Sequence, residues 1–518
     1  MENISKEYIK VRRDSDIYTD TSQDYSLPDY NGDIKKVLYT AAAVSPASKF
    51  NDGDSISASG IVTYDVIYIN SENEIDHITF TSDYDISAKL RCENLVGSDM
   101  ETHVSGFSHR LLGPRRINMK ASLVSEIRTS ESLPIETLGN VEGNSDIESV
   151  VNKLDVAYAA FAHSTEREYA DLVAKIDGVM ADEVEVIYSQ AIPAFDEVCA
   201  EDGGVGIKGS FNVLNLVKCG RGAPILYKKK LPFDEFVECD DVSRGMSVTA
   251  YANINSLRCD VTAEENGASL SASLISEYGV RAYGNKEITV VKDAYLKNAA
   301  CDNEYENFVY SSHVASEGRL HTASHSIPLS EICDGGVRNV IYMSGSSKVN
   351  DIIVEDGGAA VSAEMKMQGV CADVNDDGEE TYHSVKFSFQ TTQKVNFNCQ
   401  IPQNSLVECK IRVVDVVATL DEENLYVDVS YMLDGLVEAS MKAVRMTSCL
   451  AREGGEFPKR ESEIVVYYPE GDDTLFSVAK KYHTSARTIA ADNMLSQSVM
   501  NSFAEPGSLS GIKKLIIK

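Results

Sequence analysis

The chain has no tryptophan, no run of 18 apolar residues and far fewer basic than acidic side chains. Without an apolar run of that length there is no membrane-spanning helix to expect. The opening residues Met1-Glu2-Asn3-Ile4-Ser5-Lys6-Glu7 are polar and charged where a signal peptide needs an apolar core, so the chain reads as cytoplasmic. Eleven cysteines are scattered singly, with no Cys-x-x-Cys pair and no Cys/His cluster at metal spacing, which points to reduced thiols rather than a zinc site or disulfide framework. The 48 basic residues against 80 acidic ones give a formal charge of −32. Such a surface repels phosphate backbones and anionic lipid, which excludes nucleic acid as the expected partner. Walker loops, nucleophile elbows and kinase motifs are missing too. Among nine histidines only His321 and His325 are near neighbours, and no third ligand follows in metal-site order. The expectation is a non-enzymatic protein with no cofactor.

What is present starts with size. A chain of 518 residues is too long for one core and predicts three or four domains. Residues 464–518 carry six Lys/Arg and five Asp/Glu, so everything before them holds a charge of −33. The Gly-, Arg- and Lys-bearing stretch 451–462 at this step reads as a linker.

Landmarks recur along the acidic part. Ser26-Leu27-Pro28, Ala191-Ile192-Pro193 and Ser326-Ile327-Pro328 each precede an acidic turn. The turns are Asn51-Asp52-Gly53-Asp54, Glu201-Asp202-Gly203-Gly204 and Glu355-Asp356-Gly357-Gly358. Their aspartates Asp52, Asp202 and Asp356 lie 150 and 154 residues apart. After each turn comes a strand-like run, at 56–68, 205–216 and 359–370. Hairpins are expected around 113–116, 264–267 and 421–424. The predicted fold class is mainly β: three antiparallel, sandwich-like repeats at 1–150, 151–305 and 306–450, then a small βααβ domain at 463–518. Residues 147–180 stay open between helix and strand. Val150, Val151, Leu154, Ala157 and Tyr158 fit helical spacing, yet 159–163 aligns with the extended 308–313.

The last residues have their own grammar. A strand at 464–468 turns through Pro469-Glu470-Gly471-Asp472-Asp473 into a helix with Leu475, Val478, Ala479 and Tyr482 on one face and Asp473 as its cap. A second helix begins at Thr484, buries Ile489 and Ala490 and ends at Asp492-Asn493, and 512–517 returns as a strand. Through Gly471-Asp472-Asp473-Thr474-Leu475, then Asn493, then Pro506-Gly507, this segment resembles the LysM family. It departs from that pattern by an extra Asp in the first turn and a long loop from Met494 to Gly511. Both fall on the face that in LysM domains binds N-acetylglucosamine chains, which argues against a glycan. Exposed loop residues are the better recognition set. They are Glu470, Asp472, Asp473, Thr474 and Asn493, with Met494, Leu495, Met500 and Phe503 as apolar anchors for a protein partner.

Three β-rich copies before a LysM unit resemble the SipL-like family of clostridial spore-coat morphogenetic proteins, which carry SPOCS domains. The resemblance implies a protein of the mother-cell cytoplasm at the forespore surface. It implies binding of the coat-basement ATPase SpoIVA through the LysM unit, and localisation of coat around the forespore. Two other functions compete: a peptidoglycan- or chitin-binding protein using the same domain, and a cell-wall enzyme targeted by it. A weak calcium motif, Asp373, Asn375 and Asp377, matches half of an EF-hand loop, but position twelve is Ser384 and the flanks read as strands. An acidic hairpin turn explains it better.

Overall fold

A computed structural model describes all residues except 1–2, 14–15, 53–54, 93, 139–145, 221, 333–336, 375–379 and 457–463. The structure is mainly β, in several antiparallel sheets. Seven strands form a first unit: β1 (Asn3–Arg13), β2 (Ile17–Ser26), β3 (Ile34–Asn51), β4 (Ser55–Asn70), β5 (Ile75–Lys89), β6 (Leu95–Gly113) and β7 (Arg116–Leu138). A second comprises β8 (Ile147–His163), β9 (Arg167–Asp177), β10 (Val184–Glu201), β11 (Gly204–Cys219), β12 (Ile225–Glu238), β13 (Ser247–Glu264) and β14 (Gly267–Leu296). A third comprises β15 (Ala299–Pro328), one helical turn α1 (Leu329–Ile332), β16 (Asn339–Glu355), β17 (Gly358–Val374), β18 (Glu380–Asn396), β19 (Ser405–Leu420) and β20 (Asn424–Glu456).

Each unit holds a three-stranded meander, in the orders β3-β4-β5, β10-β11-β12 and β16-β17-β18. The acidic turns join the first two strands of each, with Asn51 opposite Ile56, Glu201 opposite Gly204 and Glu355 opposite Gly358. Gly203 and Gly357 have φ of +88° and +76°, which glycine adopts without a Cβ clash. A second sheet in each unit is centred on the long last strand, β7, β14 or β20. Its hairpins fall where the sequence placed them, with Gly113 opposite Arg116, Glu264 opposite Gly267 and Leu420 opposite Leu425. The two sheets bury alternate side chains between them. In the first unit Val62, Tyr64 and Val66 of β4 meet Ile117, Met119 and Leu123 of β7. In the second Val205, Ile207 and Phe211 meet Leu274, Tyr278 and Val280, and in the third Val361, Met365 and Met367 meet Val427, Val429 and Tyr431.

Segment 147–180 resolves as strands β8 and β9 followed by a turn. Both pair with β14, 90 to 149 residues away in sequence, and this long-range ladder overrides the helical spacing. From Val156 to Ala160 the strand is buried on both faces, so the alternation is lost and the apolar pattern looks helical. Pro193 is not the counterpart of Pro28 and Pro328. It sits inside edge strand β10, where its missing N–H faces away from the ladder, whereas Pro28 follows β2 and Pro328 ends β15. The division expected at 305/306 falls inside β15. Of the linker expected at 451–462, residues 451–456 extend β20, with Ala451 opposite Cys301, and 457–462 lie outside the described residues.

The three units converge on shared cores. Strands β3, β10 and β16 each carry a bulge at one tripeptide: Val37-Leu38-Tyr39, Val186-Ile187-Tyr188 and Val340-Ile341-Tyr342. The three tyrosine rings pack mutually with centroids 5.2–5.5 Å apart. The Tyr39 hydroxyl lies 3.0 Å from Ser344 Oγ, and Tyr342 donates to Gln190 Oε1 at 2.9 Å. Each contacted residue lies two positions beyond the next unit's tyrosine, so the cluster has approximate three-fold character.

Further along the long strands lies a belt of buried charge. Arg281 of β14 donates to Asp99 of β6 at 2.5 Å and reaches Glu101 at 3.0 Å; Arg128 of β7 donates to Glu408 of β19 at 2.5 Å. Lys410 contacts Glu126, and Asp99 also accepts from Tyr251 at 2.6 Å. Beyond the belt, the ladders β1–β7, β8–β14 and β15–β20 pack together through Ile135, Leu154, Ile288, Val290 and Ala443, then Leu138, Ile147, Ala294, Met446 and Cys449. They form a three-ribbon stalk. Among the described residues no disulfide links any of the ten cysteines.

The belt is pH-sensitive in two directions. Glu438 on β20 is pushed up to about 7 by burial and by Glu408, against the opposing pull of Arg128. A carboxyl whose folded value lies above its unfolded value near 4.5 stabilises the fold below the latter, and that contribution is lost as pH rises through 7. Glu438→Gln is therefore expected to match the parent at pH 5 and exceed it by about 2 kcal/mol at pH 8. Urea midpoints at the two pH values check this; equal differences at both would count against it.

Candidate functional site

The C-terminal unit is built from β21 (Val465–Tyr467), α2 (Leu475–Lys481), α3 (Ala486–Asp492), α4 (Gln497–Asn501) and β22 (Leu515–Ile517). Strands β21 and β22 pair antiparallel, and Leu475, Val478, Ala479, Ala486, Ile489, Ala490, Leu515 and Ile517 form its core. Thr474 rather than Asp473 caps α2. Its hydroxyl accepts the Ser477 N–H at 3.0 Å while Ser477 Oγ accepts the Thr474 N–H at 3.0 Å, a reciprocal capping box. Asp473 instead accepts from the Tyr467 hydroxyl at 2.6 Å and the Glu470 N–H at 2.8 Å, and the tyrosine bond holds its carboxyl below the usual range. Helix α3 starts two residues later than expected, at Ala486, capped by Ser485.

The unit is seated on the tip of the stalk through its helices. Tyr295 of β14 packs edge-on to Phe476, and its hydroxyl lies against Glu148 of β8 and 2.6 Å from the Thr484 carbonyl. Glu148 accepts the Ala486 N–H at 3.0 Å, placing a carboxylate at the positive end of α3. Lys480 of α2 donates to Asp293 at 2.6 Å. Nothing in the sequence marked Glu148, Asp293 or Tyr295, because each acts across a gap of well over a hundred residues.

The expected recognition residues divide sharply. Asn493 is a clamp: its amide donates to the Ile489 and Ile516 carbonyls at 2.8 and 2.7 Å, and its oxygen accepts the Ile516 N–H at 2.6 Å. Leu495, Met500 and Phe503 are partly buried against the unit's own core, and the long loop contains α4 and further turns. They are fold residues rather than free anchors. Glu470 and Asp472 are exposed.

Met494 differs from all of these. It follows the C-cap of α3, where the Leu495 N–H bonds the Ala490 carbonyl at 2.9 Å and the Met494 N–H bonds that of Ala491 at 3.2 Å. This paired pattern needs a left-handed residue, normally glycine. Met494 has φ of +51° and is 94% exposed. An unbranched apolar side chain in that conformation costs about 1 kcal/mol and here gains no burial.

Two other candidates carry less. Of the calcium motif, Asp373 lies in β17 opposite Thr381 of β18, so the described flanks are strands, while Asn375 and Asp377 lie outside the described residues. Asp76, His77 and Glu185 meet where β5 approaches β10. Asp76 is already engaged by Tyr68 at 2.9 Å, by Asn31 at 3.3 Å and by the His77 N–H, which makes the group a polar joint between units. Among the described residues no helix is long and apolar enough to cross a membrane.

Set against known proteins, the chain matches no family model, no curated protein and no solved structure.

Proposed function

We propose that this chain is a non-enzymatic assembly protein whose LysM-type C-terminal unit binds a partner protein. Its three β-rich units, of seven, seven and six strands, read as copies of one SPOCS-like repeat, and the architecture resembles the SipL-like spore-coat morphogenetic proteins. On this reading the partner is the coat-basement ATPase SpoIVA, and the protein works in the mother-cell cytoplasm, localising coat around the forespore.

The observation that carries the reading is Met494. An apolar side chain held in a glycine conformation and left in water works against folding, so its use lies in contact with something else. Glu470 and Asp472 are exposed in the same unit. Met494→Gly is expected to raise stability by about 1 kcal/mol while weakening SpoIVA binding severalfold. Thermal melting and calorimetry of the full chain test this together. The reading fails if the unaltered protein does not bind SpoIVA, or if it sediments with purified peptidoglycan instead.

A further inference from the structure

The β21–β22 pair has two faces. Val465, Tyr467, Leu515 and Ile517 face the helices and the core. A two-stranded antiparallel sheet covered on one side ordinarily turns polar residues outward on the other. Here the outer side presents Ile464 at 68% exposure, Val466 at 49% and Tyr468 at 68%, with Ile516 directly across from Val466. Strand alternation places Lys514 and Lys518 on this same side, opposite Tyr468 and Ile464 at the two ends of the strip. The unit is seated on the stalk through Phe476, Lys480, Thr484 and Ala486, all on its helical side, so the apolar strip lies on the side opposite that seat.

We infer that this outer sheet face is a docking surface for a protein partner whose contact region is apolar at its centre and acidic at its rim. Charge complementarity selects that occupant. Residues 464–518 carry a net +1 on a chain whose remainder carries −33, and two of their lysines bracket the strip. Lys518 is shared with Asp492 at 3.3 Å, and Lys514 is exposed. Binding is face-on rather than by strand addition at Ile516, because Asn493 already occupies both backbone groups on that edge of β22. The apolar strip supplies affinity and the lysines supply approach, so salt acts mainly on the association rate.

This rests on the proposed function and assigns its contact face. The test uses the full chain with SpoIVA as probe, by biolayer interferometry at low and moderate salt. A Val466→Glu, Tyr468→Glu double variant is expected to bind more than tenfold more weakly. A Lys514→Glu, Lys518→Glu variant, altering only exposed positions, is expected to associate severalfold more slowly at low salt and to converge on the parent at higher salt. If both variants bind within twofold of the parent while Met494→Gly is weakened, the face is wrong and the partner reading stands. If the parent does not bind, both fall. Should the first variant lose its melting transition, the lysine variant decides alone.

Discussion

Arg281→Met is expected to cost about 3–5 kcal/mol, the effect of removing one member of a buried ion group and leaving the other uncompensated. The side chains of Arg281 and Asp99 are 6% and 1% exposed, and Glu101 lies within reach of the same guanidinium. Burial alone would raise the Asp99 carboxyl, but Arg281, with His163 and Lys49, outweighs burial and holds it far below its ordinary range. Glu101 is likewise depressed against its burial, by Lys410, Arg281 and Arg412. Carboxyls depressed in the fold stabilise it above their unfolded values of 3.8 and 4.5, and that stability drains away as pH falls through the folded values. The parent should therefore hold its urea midpoint down to about pH 4 on these two groups, while the variant starts lower and falls earlier. A midpoint change below 1 kcal/mol would mean that Lys49 and Lys410 carry the belt without Arg281.

Tyr188→Ala should be comparably severe, at about 3–5 kcal/mol, because it empties a fully packed aromatic site. Its expected signature is spatial. Leu38, Tyr39, Ile341 and Tyr342 share its cluster, so amide protection should fall on β3 and β16 as well as β10. Tyr342→Phe, which keeps the ring and removes the hydroxyl bonded to Gln190, is expected to cost about 1 kcal/mol. Hydrogen exchange confined to β10 in Tyr188→Ala would show that the units are stabilised separately.

Local grammar was legible in the sequence: alternation gave the central strands, and the turns at 113–116, 264–267 and 421–424, the second an Asn-Gly turn, gave the hairpins. Long-range pairing was not. The β8 segment misled because residues 156–160 are buried on both faces and do not alternate, and the docking set Glu148, Asp293 and Tyr295 has no local mark at all. One signal was present but unread. The Val-(Leu/Ile)-Tyr tripeptides recur 149 and 154 residues apart, and they locate the equivalent bulges better than the prolines do. At the C-terminus the apolar pattern identified Leu475, Val478 and Ile489 correctly but could not separate Met494, which is exposed, from Leu495, Met500 and Phe503, which face inward.

The stalk ladders set the first strand of each unit against its last, with Asn3 opposite Leu138, Ile147 opposite Leu296 and Ala299 opposite Glu456. Every unit thus begins and ends at one pole, and 139–146 and 297–298 are all the chain needs to pass from one to the next. Such adjacency makes each unit a cassette, whose first and last residues are ladder partners and whose strands all close within the unit. It also means that duplication of one unit adds its copy at the pole where the C-terminal unit sits, so that end stays fixed while the body changes number.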